Sequence, residues 1–576
     1  MGSPPLTVMT PARAVSLWMG LLAAVSLLGV LIVQDRHAVH DVPLRGAKRL
    51  ALTGDAMDLV FAVKHRDPGA ITRMLDVLSD PDSPSYGQYL TLDQLARLTR
   101  NDAALDSITA FLRSRGLEKQ IDMTVNGEFV VARSVPVPLA HSILKLTGTS
   151  AKLPPPIAMH VDFVSVKHHV PQRPGVRTKA GRKVQGYVTP DLINKVYNVK
   201  SNHVEDQRAT QALFESLGQS YSPNDLHQFQ NEFGLPKSDI VDVIGPNQED
   251  ACNDHPDQCG EANLDVQYML AMSDGPTTYW SMVGEVEPFL DWAIAVSNDS
   301  SAPLVHSISY GDPEEDPAVM RRFDEEIQKL GIRGITVVVS SGDDGVANFD
   351  ARSDLDKCGF SPSFPASSPY VVSVGATQGP ESGREEVACS SDTGGIVTSG
   401  GGFSTVFKRP HYQDAAINDF FTNSDPADLP PHYMYSREGR AYPDVSLLGY
   451  NYIIVDGGQF TAESGTSASA PVFAGMLSLV NGRLLSLGRP PVGFVNPLLY
   501  KLSGANGVFK DVVKGNNRCV AGDGLSCCKF GFTATKGFDP VTGLGSVDFD
   551  RLMQAILALG QSPKRSAPIA VPIAEI

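Results

Sequence analysis

Ser467 stands in the run Gly465-Thr466-Ser467-Ala468-Ser469-Ala470-Pro471, among neighbours too small to shield its hydroxyl. The run leads into an apolar segment, Val472 to Leu479, which predicts a helix starting at the Gly-Thr turn. Helix-start amides and the helix dipole favour negative charge, so a nucleophile there suits a reaction that builds an anion. A serine nucleophile needs a base, and a third group to orient that base. Glu261 and Asp265 lie four residues apart in Gly260 to Tyr268, a spacing that stacks both carboxyls on one helix face. Their like charges repel, so a purely structural helix gains nothing from the pair. Neighbouring carboxyls can instead share a proton and separate their pKa values. Glu261 would then take the serine proton while Asp265 orients Glu261. The apolar Leu264, Val266, Met269 and Leu270 predict partial burial of the pair. A third acid follows Ile335 to Val339, a run that predicts a buried parallel strand and ends in Ser340-Ser341-Gly342-Asp343-Asp344-Gly345. Ligand sites in parallel sheets lie beyond the carboxyl ends of strands. A protonated Asp343 can donate a hydrogen bond to a tetrahedral oxyanion.

The serine run resembles the nucleophile motif shared by subtilisins and sedolisins. Subtilisins use a His in His-Gly-Thr and an Asp in Asp-Thr-Gly. None of the 13 His here is followed by Gly, and none lies after Ser467. Asp392-Thr393-Gly394 looks like the aspartate motif, but only His411 and His432, in Pro-flanked loop sequence, follow it, so Asp392 reads as a decoy. The sedolisin, or serine-carboxyl peptidase, motifs are all present in family order: Glu261 with Asp265, then Asp343, then Ser467. The resemblance continues through Phe364 to Val371, Ser399 to Ser404 and Gly439 to Val445, and covers roughly residues 185 to 555. Within the family it is most similar to the tripeptidyl-peptidases, through Leu264 to Tyr268 and Gly488 to Phe494. Two departures are Asp344, where the family usually has Ser, and a cysteine-bearing insert before Glu261. Asp343, which directly follows the Ser-Gly pair, is the expected oxyanion acid.

The resemblance implies further residues. One calcium ion would be held by the Asp511 and Asp539 side chains and by carbonyls of Val512, Thr535 and Gly537. Oxygen ligands suit that cation, although no EF-hand pattern exists and composition alone would read two turn aspartates. Ser309-Tyr310-Gly311 would pair with substrate backbone as an added strand. Asp312 would meet a free substrate ammonium, or be a plain surface acid. Cys358 and Cys519 resemble a family disulfide.

These residues need a large scaffold to bring them together. The 576 residues, 42% of them hydrophobic, exceed one ordinary domain. The expected fold beyond Tyr187 is an α/β, subtilisin-like, mostly parallel sheet with helices on both faces. Its strands include Leu304 to Tyr310, Ile335 to Ser340 and Tyr370 to Gly375. A smaller α+β propeptide domain is expected to precede it, over residues 37–165, with helices near Ile71 to Leu78 and Leu92 to Leu98 and a strand at Val125 to Val131. Tyr86 to Leu90 resembles the sedolisin propeptide motif. The basic stretch Lys167 to Lys183 reads as an exposed linker carrying the maturation site, within 166–186. The peptidase domain would occupy 187–560, with a tail over 561–576.

Residues 1–36 hold an apolar stretch, Ala14 to Val33, that serves either as a signal peptide or as a membrane anchor. Both send the chain into the secretory pathway, to a lysosome-like acidic compartment or outside the cell. Seven cysteines agree with an oxidising compartment; Cys252 and Cys259 could close a loop beside Glu261, while Cys389, Cys527 and Cys528 stay unassigned. Asn298-Asp299-Ser300 is a possible glycosylation sequon. A net charge of −16 argues against nucleic acid as a partner. The expected partners are peptide or unfolded-protein substrates and the chain's own propeptide as an inhibitor. The expected activity is acid-acting peptide hydrolysis through an acyl-enzyme, releasing tripeptides from free N-termini. The rivals are an acid endopeptidase of the same family and a non-catalytic, membrane-anchored binding protein.

Overall fold

The computed structural model describes residues 41–45, 56–144, 150–167, 186–249, 251–254, 258–282, 287–426, 428–504, 507–522 and 525–559. The Ala14 to Val33 stretch, the linker over 168–185 and the tail over 561–576 lie outside them. The chain forms two compact units, residues 1–68 with 99–169, and 69–98 with 170–576.

The smaller unit is built on a six-stranded sheet. Its central strand, Ala56–Val63, pairs antiparallel with Phe129–Pro136 on one side and Val161–Lys167 on the other. Helix Asp102–Ser114 buries Ala104, Leu105, Ile108 and Leu112, one face at helical spacing, within the same core as Leu59 and Phe61. Its Asn101 cap accepts the Ala104 amide at 3.2 Å. The strand expected from Val125 starts instead at Phe129, because Gly127 (φ +73°) makes a turn of residues 124–128.

The larger unit carries a mostly parallel sheet. Its strands are β1 Gln211–Glu215, β2 Ile240–Ile244, β3 Thr277–Ser281, β4 Val305–Ile308, β5 Thr336–Ser340, β6 Val372–Gln378 and β7 Val445–Leu448. They lie in the order β2-β3-β1-β4-β5-β6-β7, all parallel, and Val387–Ala388 adds to β6 in antiparallel sense. Strands β1, β3, β4, β5, β6 and β7 are buried along their whole length, as their apolar runs require of a sheet covered on both faces. Chain order reverses between β1 and β4, which makes their carboxyl ends a topological switch point.

Three helices matter for the site: α1 Gly260–Met272, α2 Pro317–Ile332 and α3 Thr466–Ser486. Helix α3 is long and apolar enough to cross a membrane, but 89% of that window is buried, so it is the core helix. It packs closely on α1: a Cβ on Gly475 would lie 2.7 Å from the Met272 Cβ. That approach sets the distance between the residues at the helix ends.

Residues 69–98, from the expected propeptide region, group with this larger unit. Leu75 packs by Gly331 of α2, the Leu90 amide donates to the Ile332 carbonyl at 3.0 Å, and the Tyr89 hydroxyl donates to the Val492 carbonyl at 2.6 Å. Apolar burial on α2 therefore divides the region differently from sequence continuity.

Cys252 pairs with Cys259. The expected Cys358–Cys519 bridge is not formed: Cys358 pairs with Cys528, and Cys519 with Cys527. Cys519 and Cys527 face each other across a local antiparallel bridge and pair there, and the next residue, Cys528, pairs with Cys358. Cys389 is a buried free thiol.

Candidate active site

Ser467 is the second residue of α3, directly after the Gly465 cap and Thr466. Its hydroxyl donates to the Ser309 carbonyl at 3.2 Å, and the Ser309 hydroxyl donates to the Ser467 carbonyl at 3.3 Å. The second bond has a cause in the sequence. Pro471, four residues on, has no N–H, so the Ser467 carbonyl lacks its intrahelical donor and Ser309 supplies one. The two serines clamp each other across the end of β4.

Glu261 sits in the first turn of α1, and Asp265 one turn later. The Cys252–Cys259 bridge closes the loop just before Glu261. The helix is held from behind: Tyr268 donates to the Ile453 carbonyl at 2.8 Å, and Gln267 exchanges two hydrogen bonds with the Val455 backbone. The carboxyl face therefore points at the cleft in one orientation. Asp265 is fully buried and Glu261 partly so. Burial raises Glu261 above the usual carboxylate range; the nearby Ser467 hydroxyl opposes that, and the Asp343 and Glu463 charges add to it. Burial pushes Asp265 well up, with the Glu215 and Glu261 charges adding and the Ser309 hydroxyl opposing. Among the described residues, neither oxygen of Asp265, nor Oε1 of Glu261, has a well-formed hydrogen-bond partner.

Glu215 is a member of this cluster that the sequence reading overlooked. It closes β1, is fully buried, and accepts the Tyr310 hydroxyl at 2.7 Å. Burial raises it well above the usual range, against the Tyr310 bond and with the Glu261 charge. A signal existed: an acid ends the apolar Ala212-Leu213-Phe214 run, as Asp343 follows its own apolar strand. Three carboxyls thus share one apolar pocket at the switch point, and their protons belong to the group. Glu261, which alone reaches both the cleft and Ser467, is the one placed to ionise and accept the serine proton.

Asp343 follows β5 on the other side of Ser467. Its Oδ1 accepts the Thr466 amide at 2.8 Å and the Thr466 hydroxyl at 3.1 Å. Oδ2 lies beside Gly465, where a Cβ would approach it to 3.2 Å and would also meet the Ser467 Cβ. Burial raises Asp343, against the Thr466 amide and the Arg352 charge. Asp343 and Ser467 line the same cleft. Asp344 accepts a two-point bond from Arg352.

Ser467, Glu261, Asp343 and Asp344 line one cleft of ≈400 Å³, together with Ser309, Tyr310, Gly311 and Asp312. Asp312 and Pro313 already pair antiparallel with Phe364 and Ser363, so the unpaired backbone of this edge is Tyr310-Gly311. Asp392 is structural: it accepts the Ser390 hydroxyl at 2.8 Å and the Asn516 amide at 3.1 Å. Asn298 donates its amide to the Ile294 carbonyl at 2.8 Å as a helix C-cap.

The five expected metal residues gather in one pair of loops. Asp539 is fully buried and accepts amides of Thr535, Val541 and Thr542, and Asp511 accepts the Gly537 amide at 2.8 Å. Thr542 donates its hydroxyl to the Val512 carbonyl at 3.3 Å. Burial pushes Asp539 up to about 7, and among the described residues it has no ion-pair partner. A buried carboxylate without a counter-ion, beside a second carboxylate and loop carbonyls, is a donor set that fits a hard cation.

Comparison with known proteins agrees with this architecture. Residues 48–149 match the pro-kumamolisin activation domain, and residues 272–488 match the subtilase family. Tripeptidyl-peptidase 1 of Homo sapiens is 34% identical over 538 residues, spanning 87% of this chain and 92% of that protein. The Mus musculus protein of the same name is 33% identical, with the same coverage. A Pseudomonas sedolisin, a serine-carboxyl proteinase solved with two molecules of pseudo-iodotyrostatin, shares the fold with a TM-score of 0.50 at 22% identity, over 66% of this chain and 99% of its own. The chain belongs to the sedolisin family of serine-carboxyl peptidases and is a homologue of tripeptidyl-peptidase 1.

Proposed function

We propose that the protein is an acid-acting tripeptidyl-peptidase. The observation that carries this reading is Ser467 lying between a buried carboxyl cluster and the separate acid Asp343. Ser467 attacks the scissile carbonyl as Glu261 accepts its proton, and Asp265 with Glu215 disperses the charge. Asp343, protonated, donates to the oxyanion of the tetrahedral intermediate. Glu261 then protonates the leaving amine, and water resolves the acyl-enzyme by the same steps. The base must be ionised while the donor keeps its proton, so activity follows a bell-shaped profile. Unperturbed carboxyls would centre it at roughly pH 3.5 to 5.5, and burial raises both groups and so moves it upward from there.

Tripeptide release rests on the 34% identity to tripeptidyl-peptidase 1 and on the exposed Asp312 at the cleft edge, a partner for a substrate ammonium. A calcium ion at Asp511 and Asp539 would serve to hold the loops over 511–543 together. The activation domain would act as an intramolecular inhibitor removed by cleavage between about residues 165 and 190. Three disulfides suit a secreted or lysosomal location. A tripeptide-fluorophore with a free amine should be cleaved at acid pH and its N-blocked form should not. Equal cleavage of both forms points to endopeptidase action instead.

A further inference from the structure

Beside Asp343 lies a charge pair with no part in the reaction proposed above. The Arg352 Nε donates to Asp344 Oδ1 at 2.7 Å and Nη2 donates to Asp344 Oδ2 at 2.8 Å, a fork-to-fork bridge. Asp344 Oδ1 also accepts the Ala521 amide at 3.0 Å, which fixes the carboxylate to the loop behind. Asp344 is almost fully buried, while the Arg352 side chain is 45% exposed and lines the cleft. Among the described residues, Arg352 is the only Arg or Lys in that lining. Asp344 directly follows Asp343 in the chain, so one charge of each sign flanks the acid at short range. From the structure we infer that Asp344 and Arg352 act as an opposed pair of positioning residues that sets how firmly Asp343 holds its proton, and so the alkaline limit of activity.

The inference rests on the reading of Asp343 as the oxyanion acid. Each half of the pair acts on Asp343 with opposite sign. The Arg352 charge favours the carboxylate, and the Asp344 charge favours the protonated acid. Of the two, the Arg352 charge has the larger effect. Among the described residues, the other titratable groups around Asp343 are Glu261 on α1, Asp312 at the cleft edge, Glu463 at the end of the Gln459–Glu463 strand, the Cys389 thiol and the Tyr442 phenol. None of these changes when the pair is altered one member at a time, so the sign of the response identifies its source.

Activity of the acid-incubated full-length protein should be followed against pH for Arg352→Met, Arg352→Lys, Asp344→Asn and Asp343→Asn. Arg352→Met leaves the Asp344 charge alone, raises Asp343, and should move the alkaline limb up by roughly half to one pH unit. Asp344→Asn keeps an acceptor for the Ala521 amide, leaves the Arg352 charge alone, and should move the limb down, by a smaller amount. Arg352→Lys restores the charge and should restore the limb. The pH dependence of inhibition by a peptide aldehyde, which forms the tetrahedral adduct without turnover, should move in parallel. Shifts of the same sign in Arg352→Met and Asp344→Asn, or no shift in either, would overturn the inference. An Asp343→Asn protein with the wild-type limb would instead overturn the reading of Asp343 on which it rests.

Discussion

The clamp between Ser467 and Ser309 is the smallest unit with consequences of its own. Ser309→Ala removes the donor that replaces the missing Pro471 amide and leaves the Ser467 carbonyl short of a partner. The expected outcome is a stability loss of about 1 kcal/mol and a several-fold fall in kcat with little change in KM, read from melting and steady-state kinetics. Ser467→Ala should lose activity by about a thousandfold or more, since it removes the hydroxyl on which the acyl-enzyme forms. The catalytic candidates were legible because their chemistry needs particular residue types at particular spacings. Glu261 with Asp265 shows one helical turn, and Asp343 follows an apolar strand. Glu215 was not legible in the same way. It is 46 residues before Glu261, and only the β1–β4 switch point puts the two together.

Elements explain what spacing alone does not. Helix α3 meets α1 through Gly475, where any side chain would press on Met272. Gly475→Ala should therefore cost about 1 to 3 kcal/mol and lower kcat further, because even a small shift of α3 moves Ser467 from Glu261. Thermal melting and kinetics of one preparation separate the two effects. The loops over 511–543 carry a different expectation. Calcium binding to the native state alone raises its melting temperature by mass action. Chelation should lower the melting temperature of wild type and leave Asp539→Ala nearly unmoved; equal shifts in both would remove the ion from this site. The strands were largely readable from apolar runs, as at Ile335 to Val339. The disulfides were not, because pairing depends on which loops face each other. Cys519 and Cys527 meet across an antiparallel bridge that no spacing rule marks. The strand at Phe129 was missed by four residues because Gly127 turns the chain first.

At the scale of the whole molecule, the buried acids tie stability to pH. Burial raises Glu215, Asp265, Glu261 and Asp343 above the values they take in an unfolded chain. A raised carboxyl stabilises the native state fully below its unfolded pKa, near 4, and that contribution is lost as pH rises through the folded value. The net charge of −16 at pH 7 adds self-repulsion in the same direction. With calcium saturating at both pH values, melting at pH 4.5 should exceed melting at pH 7.5 by roughly 5 °C or more; a higher value at pH 7.5 would contradict the burial argument. The basic linker Lys167 to Lys183 carries a further expectation, that the chain matures itself. Full-length Ser467→Ala protein, incubated at acid pH without other proteases, should stay uncut, whereas maturation at the wild-type rate would exclude self-processing. The most direct test of the central claim is the pH profile of wild-type peptidase activity beside that of Glu261→Gln. A carboxyl base with a carboxylic oxyanion donor requires a bell on the acid side of neutrality for wild type, and near-complete loss in Glu261→Gln. Activity peaking at pH 7 to 8, or a Glu261→Gln enzyme that keeps its turnover, would contradict the assignment of Ser467, Glu261, Asp265 and Asp343.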